Sequence, residues 1–161
     1  MRMNVRAVYT QRLVRARSEE SITEAASRMD FEEVGALPVF EGAHLVGILT
    51  ERDVVRAVAD GVDPSATQLG EYMTAEPLTT PVDADLSEAA EKMLELGARH
   101  LPVEDRGEVI GMISARDLLI PEAWGEQLGL HPSVIDVHSE GRPARAGPPY
   151  PAASSLSGLL R

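Results

Sequence analysis

Two segments of this 161-residue chain carry the same chemically capable side chains at the same spacing: Gly47-Ile48-Leu49-Thr50-Glu51-Arg52-Asp53 and Gly111-Met112-Ile113-Ser114-Ala115-Arg116-Asp117. Each reads glycine, apolar, any residue, hydroxyl, any residue, arginine, aspartate. At a strand-to-helix turn such a set could receive a nucleotide. The glycine admits a close backbone approach, the hydroxyl sits where unpaired helix N–H groups attract phosphate, and the arginine adds positive charge. The aspartate, one turn in, is placed to accept hydrogen bonds from a ribose diol. The same spacing also satisfies a plain helix N-cap with an acid in the first turn, each cap contributing about 1 kcal/mol. Residue types and spacing leave both readings open.

The elements that must position these turns are repeated too. The 64-residue offset between the segments also relates Thr23-Glu24-Ala25-Ala26 to Ser87-Glu88-Ala89-Ala90, Leu37-Pro38-Val39 to Leu101-Pro102-Val103, and Tyr9-Thr10 to Met73-Thr74. One supersecondary unit present twice without insertions predicts two copies facing each other across a pseudo-twofold axis, with two related clefts along the seam. Ile22, Ala25, Ala26 and Met29 share one helical face, as do Leu86, Ala89, Ala90 and Met93, so each copy begins with a helix. Ser21 with Glu24, and Asp85 with Glu88, supply the caps. A hairpin follows, turning at 41–44 or 105–108 and returning as a continuous apolar strand at 45–49 or 109–113. A second helix starts at Thr50 or Ser114, and leading strands are expected at 13–16 and 78–80.

This organisation predicts an N-terminal arm over 1–7, repeats over 8–62 and 72–121, a linker over 63–71, and a partly mobile tail over 122–161. The tail is rich in Ser, Gly, Pro and Ala, with Trp124, Leu128 and Leu130 as its anchors. With 43% hydrophobic residues the chain can build one compact core region. It has no cysteine, which excludes disulfides and thiolate metal sites. The first 17 residues hold five arginines and no acid, a solvated basic arm, while 18–120 hold 22 acids against seven bases. So acidic a body predicts no nucleic-acid or anionic-membrane partner. No run approaches the roughly 20 apolar residues of a membrane span, and the first 17 residues lack an apolar signal stretch, so cytoplasmic residence is the default. His44, His100, His131 and His138 lack metal-ligand spacing, and no nucleophile elbow or glycine-rich phosphate loop is present. Neither a metal site nor an enzyme is expected.

Over residues 8 to about 120 the chain resembles a tandem pair of cystathionine-β-synthase (CBS) domains, a Bateman module. The resemblance rests on the Leu-Pro-Val strands, the Gly-x-x-Thr/Ser-x-x-Asp turns, the Ala-Ala first helices and Met73-Thr74 introducing the second copy. It implies an α/β fold of the α+β type, with two pseudo-twofold-related CBS repeats, each a small sheet packed with two helices. It further implies homodimers that bind adenosine derivatives between the repeats, regulate other proteins and catalyse nothing. Carried onto this chain, it has Asp53 and Asp117 binding ribose, Thr50 and Ser114 contacting phosphate with Arg52 and Arg116 nearby, and Ile48 and Met112 lining an adenine pocket. Thr80 would meet the base, and Arg99-His100 would serve the phosphates. The first copy has Gly35-Ala36 where the second has Arg99-His100, so two unequal sites are expected, the stronger served by Ser114, Asp117, Arg99 and His100. The function so implied is a cytoplasmic, homodimeric sensor acting on a regulated protein. Its ligand would be AMP, ADP or ATP, or else S-adenosylmethionine or a dinucleotide, and it needs no cofactor. The alternative is a ligand-free structural or interaction module whose Thr/Ser-x-x-Asp motifs only cap helices.

Overall fold

The computed structural model describes residues 3–119. Within them the elements run α1 (Ile22–Glu32), β1 (Ala36–Glu41), β2 (His44–Thr50), α2 (Glu51–Ala59), β3 (Thr74–Ala75), β4 (Thr80–Pro81), α3 (Leu86–Leu96), β5 (His100–Asp105) and β6 (Glu108–Ser114). Short 3-10 turns stand at Val5–Ala7, Leu69–Glu71 and Asp117–Leu119. Mixed α and β elements thus form two small sheets, ordered β1-β2-β3 and β4-β5-β6.

The local causes are those of the sequence. Ser21 Oγ accepts the Glu24 N–H at 3.2 Å while the Glu24 carboxylate takes the Ser21 N–H at 2.8 Å, so α1 starts with two of its orphan donors satisfied. Glu88 does the same for the Asp85 N–H ahead of α3, at 3.3 Å. Ile22, Ala25 and Met29 of α1, and Leu86, Ala89 and Met93 of α3, are buried. The β5–β6 hairpin closes through Arg106 and Gly107, both at positive φ (52° and 84°), the twist that a two-residue connection between strands requires.

The two halves are not self-contained. Val5 is completely buried, but in the core of the second half, among Val82, Leu86, Leu101 and Ile113; Leu69 is completely buried in the core of the first, among Ile22, Leu37 and Leu49. The backbone repeats this reciprocity. The Val5 N–H donates to the Ala84 carbonyl at 2.9 Å, and the Leu69 N–H to that of Glu20 at 2.8 Å. Asn4 bridges Asp85 as Gln68 bridges Ser21, and Thr10 pairs with Met112 as Thr74 pairs with Ile48. Each of these pairs obeys the 64-residue offset. Past that exchange the chain returns to its own half, where Ala16 pairs in parallel with Val39 and Thr80 with Val103. The pseudo-twofold is therefore an exchange of leading segments.

Three expectations are corrected by this. The N-terminal arm is not solvated: from Met3 onward it packs on the second half, because Val5 has apolar surface to bury there. Leu69, placed in a linker by the sequence, is a core residue of the first half. The leading strand expected at 13–16 is reduced to a single bridge at Ala16, and that at 78–80 to Thr80–Pro81. After Ser114 the described residues form only the Asp117–Leu119 turn; the remainder of the expected helix, Trp124, Leu128, Leu130, His131, His138 and the tail over 122–161 lie outside them.

Leu69→Ala should therefore lower unfolding free energy by about 2–5 kcal/mol, the range for truncating a buried leucine. Urea denaturation would measure this; a change within about 0.5 kcal/mol would return Leu69 to a solvated linker.

Candidate functional site

Both hydroxyl-aspartate turns sit where a hairpin strand runs into the next turn of helix. Thr50, in extended backbone, ends β2 and caps α2. Asp53 Oδ2 accepts both the Thr50 N–H and the Thr50 hydroxyl at 2.8 Å, and Thr50 Oγ1 accepts the Asp53 N–H at 3.4 Å. Ser114 repeats the arrangement: its N–H and its hydroxyl each lie 2.7 Å from Asp117 Oδ2. The next backbone donor is used in both copies, Glu51 N–H to the Gly35 carbonyl at 3.1 Å and Ala115 N–H to that of Arg99 at 2.8 Å. Thr50 thus caps α2 reciprocally, while the Ser114 turn is held by the Asp117 carboxylate's half of the arrangement. In the Ser114 turn this leaves the second carboxylate oxygen and the hydroxyl lone pairs for a ligand; in the Thr50 turn one hydroxyl lone pair is already used.

Those remaining valences differ between the copies. Asp53 is buried, at 6% exposure, and its Oδ1 is held by Arg56 Nη2 at 3.2 Å. Asp117 is half-buried. The offset puts Ile120, not an arginine, at the position of Arg56, and among the described residues no cation is paired with Asp117. Arg52, Arg99 and Arg116 are exposed and have no ion-pair partner among the described residues.

The turns meet across the seam at Gly35. A Cβ placed on Gly35 would lie 3.3 Å from Glu51 Oε2 of its own half and 3.3 Å from the His100 ring of the other. His100 also feels Arg99, Asp117 and Arg116 electrostatically, so it stands between the two turns and not within its own copy alone. Burial, with Arg99 adding to it, pushes the His100 imidazole below its ordinary value; Glu51 and Asp117 oppose this only in part.

The other expected residues are placed as follows. Ile48 is buried and Met112 half-buried, each between the proline of its own half's first strand and a threonine crossing from the other half. Thr80 is buried on β4, opposite Val103. The close approach at Gly47 and Gly111 is made by the chain itself: Met73 covers Gly47, and Tyr9 with the Thr10 carbonyl covers Gly111. Sequence reasoning assigned that approach to a ligand, although the offset between Tyr9-Thr10 and Met73-Thr74 was the signal for the covering residues. It also passed over Glu51, which no motif rule distinguishes from a solvated helix acid.

A cavity of about 350 Å³ opens between the halves at the hairpin tips, lined by His44, Leu45, Glu76, Thr79, Glu104 and Val109 among others. It lies at the far end of β2 and β6 from Thr50 and Ser114, six residues or about 20 Å away. The hydroxyl-aspartate turns and this open cavity are therefore separate features. Among the described residues no group of three or more His, Asp or Glu side chains could hold a metal ion.

Comparison with known proteins gives the following. The family profile described as the CBS domain matches residues 5–60 and 69–120. The CBS domain-containing protein YhcV of Bacillus subtilis is 32% identical over 127 residues, covering 78% of this chain and 90% of that protein. The CBS-domain containing protein ATU1752 of Agrobacterium tumefaciens superposes with a TM-score of 0.70 at 29% identity, over 74% of this chain and 92% of that one. The CBS domain pair of protein MJ0100, solved in complex with 5′-methylthioadenosine and S-adenosyl-L-methionine, gives 0.68 at 27% identity, over 73% and 94%.

Because the folded chain holds His100 below its ordinary value of about 6.5, the unfolded chain takes up the proton first as pH falls. This contribution is thus intact above pH 6.5 and declines as pH drops from there towards the folded-state value. Thermal unfolding of wild type and His100→Asn between pH 7.5 and 5 should show a smaller acid-side loss in the variant; parallel curves would remove His100 from that effect.

Proposed function

The chain belongs to the CBS-domain family, and from that premise we propose that it is a non-enzymatic regulatory sensor binding an adenosine derivative between its two halves. The observation that carries this reading is the pair of matching hydroxyl-aspartate turns brought face to face at Gly35, Glu51 and His100. Each turn offers a hydroxyl and a carboxylate beside a helix mouth, chemistry suited to a sugar and its 5′ substituent. Adenosine compounds in the related MJ0100 pair support the ligand class. AMP, ADP or ATP are the first candidates for this chain, with S-adenosylmethionine or a dinucleotide after them. The proposed residues are Ile48, Thr50, Arg52, Asp53, Thr80, Arg99, His100, Met112, Ser114, Arg116 and Asp117. The Ser114 turn is the stronger, because Asp117 lacks the internal arginine that occupies Asp53.

Val55 and Leu119, related by the offset, are both exposed, as are Phe31, Val58 and Leu94 (84%, 61% and 82%). An apolar helix surface of this kind supports a homodimer, and the regulated protein would read the ligand-dependent state of that assembly. No helix among the described residues is long and apolar enough to cross a membrane, and cytoplasmic residence is part of the proposal.

One observation favours a second reading. Both turns hold hydroxyl and carboxylate in internal hydrogen bonds without any ligand, so a structural module with empty clefts needs nothing further from these residues. Ligand linkage separates the two. A compound binding only the native state stabilises it by about 2.7 kcal/mol at one hundred times its dissociation constant, several degrees in melting temperature for a chain of this size. We expect such a shift from at least one of AMP, ADP, ATP, NAD, S-adenosylmethionine and cyclic dinucleotides in scanning fluorimetry, and its loss in Asp117→Ala. Under the capping reading no compound shifts the wild type, and Asp117→Ala lowers stability by about 1 kcal/mol and does nothing else.

A further inference from the structure

The 64-residue offset pairs the surroundings of the two turns residue by residue, and the pairs are chemically opposed. Position one after the hydroxyl is Glu51 in the first turn and Ala115 in the second. The carbonyl accepting that residue's N–H belongs to Gly35 in the first and to Arg99 in the second. The residue following it is Ala36 in the first half and His100 in the second, and His100 is the one that reaches across to Gly35. The Thr50 turn is therefore bordered by a carboxylate, a glycine gap and an imidazole. The Ser114 turn is bordered by the backbone of Arg99, whose side chain is exposed, and by the methyl group of Ala115, with His100 shared between the two turns.

We propose that the two turns select ligands of opposite charge. The Ser114 turn, with Arg99 and Ala115, takes a phosphate-bearing adenosine compound, and the Thr50 turn, with Glu51, takes an adenosine derivative whose 5′ substituent is uncharged or cationic, such as a thioether or a sulfonium. This inference rests on the sensor reading above. Arg52 and Arg116 are equivalent by the offset and both exposed, so they do not discriminate between the turns. His100 does not neutralise Glu51, because burial and Arg99 favour the uncharged ring. Arg56, already engaged by Asp53, adds no free cation towards the ligand. A phosphate entering the Thr50 turn would meet the Glu51 carboxylate where the second turn has only a methyl group. One like-charge contact at the protein surface is enough for a tenfold preference.

Calorimetric titration of the full chain with AMP, 5′-methylthioadenosine and S-adenosylmethionine tests this. We expect AMP to bind at one site per chain and S-adenosylmethionine at another, neither displacing the other. Arg99→Ala should weaken AMP about tenfold or more and leave S-adenosylmethionine unchanged. Glu51→Gln, which keeps the shape of the side chain, should weaken S-adenosylmethionine by a similar factor, spare 5′-methylthioadenosine and raise the AMP stoichiometry from one to two. Circular dichroism of both variants would establish that they fold. AMP filling both wild-type sites with equal affinity, or variants that change all three ligands alike, would overturn the charge selection while leaving the sensor reading standing. If none of the three compounds binds, the charge selection is overturned, and the sensor reading is then decided by the wider fluorimetry panel with ADP, ATP, NAD and cyclic dinucleotides.

Discussion

Neither half of this protein closes its own core. Val5, ahead of the first copy, is buried under α3, and Leu69, ahead of the second, is buried under α1. Each such side chain contributes about 1.5–3 kcal/mol by leaving water, and each takes its 3-10 turn and its first β pairing with it. The exchange ties the halves together at three reciprocal pairs of backbone contacts, so the seam is set by the chain's own hydrophobic bookkeeping and not by a separate interface. Every other feature between the copies depends on it.

Among those features is the covering of Gly47 and Gly111. The crossing residues Met73 and Tyr9 lie so close over these glycines that a side chain at either would collide with them, which accounts for a glycine inside each otherwise apolar strand. Because the crossing segments hold the hairpin strands at their middles, the strand ends bearing Thr50 and Ser114 are brought together. At Gly35 the absent side chain leaves room for the Glu51 carboxylate of one half and the His100 ring of the other.

Capping and ligand recognition are not competing uses of one atom in these turns. The hydroxyl hydrogen and one carboxylate oxygen are spent on the cap, which fixes the rotamer of both side chains. The hydroxyl lone pairs not used by the cap and the second carboxylate oxygen then have a defined direction. In the first copy Arg56 takes that oxygen of a buried aspartate; in the second the offset places Ile120 where that arginine stands, and no cation among the described residues pairs with Asp117. A duplicated motif has in this way acquired two electrostatic characters by substitution at its borders, while its backbone geometry stayed the same.

Helix starts, hairpins and the twofold repeat were legible in the residues because their causes are local. Ser21 and Glu24 satisfy donors three residues apart, Ile22, Ala25 and Met29 share a face by helical pitch, and an unbroken offset of 64 states the symmetry. Which core receives Val5 or Leu69 was not legible. Hydrophobic burial has no direction, so a valine near the N-terminus reads the same whether it returns to its own half, crosses to the other, or stays in water. The same holds for Glu51, whose carboxylate is an ordinary helix-surface acid until the packing of the two halves sets His100 beside it. The sequence by itself determined two equivalent units and the hydroxyl-aspartate turn in each; only tertiary packing decided that the units trade their leading segments and that the turns meet, because those outcomes depend on contacts between residues far apart in the chain.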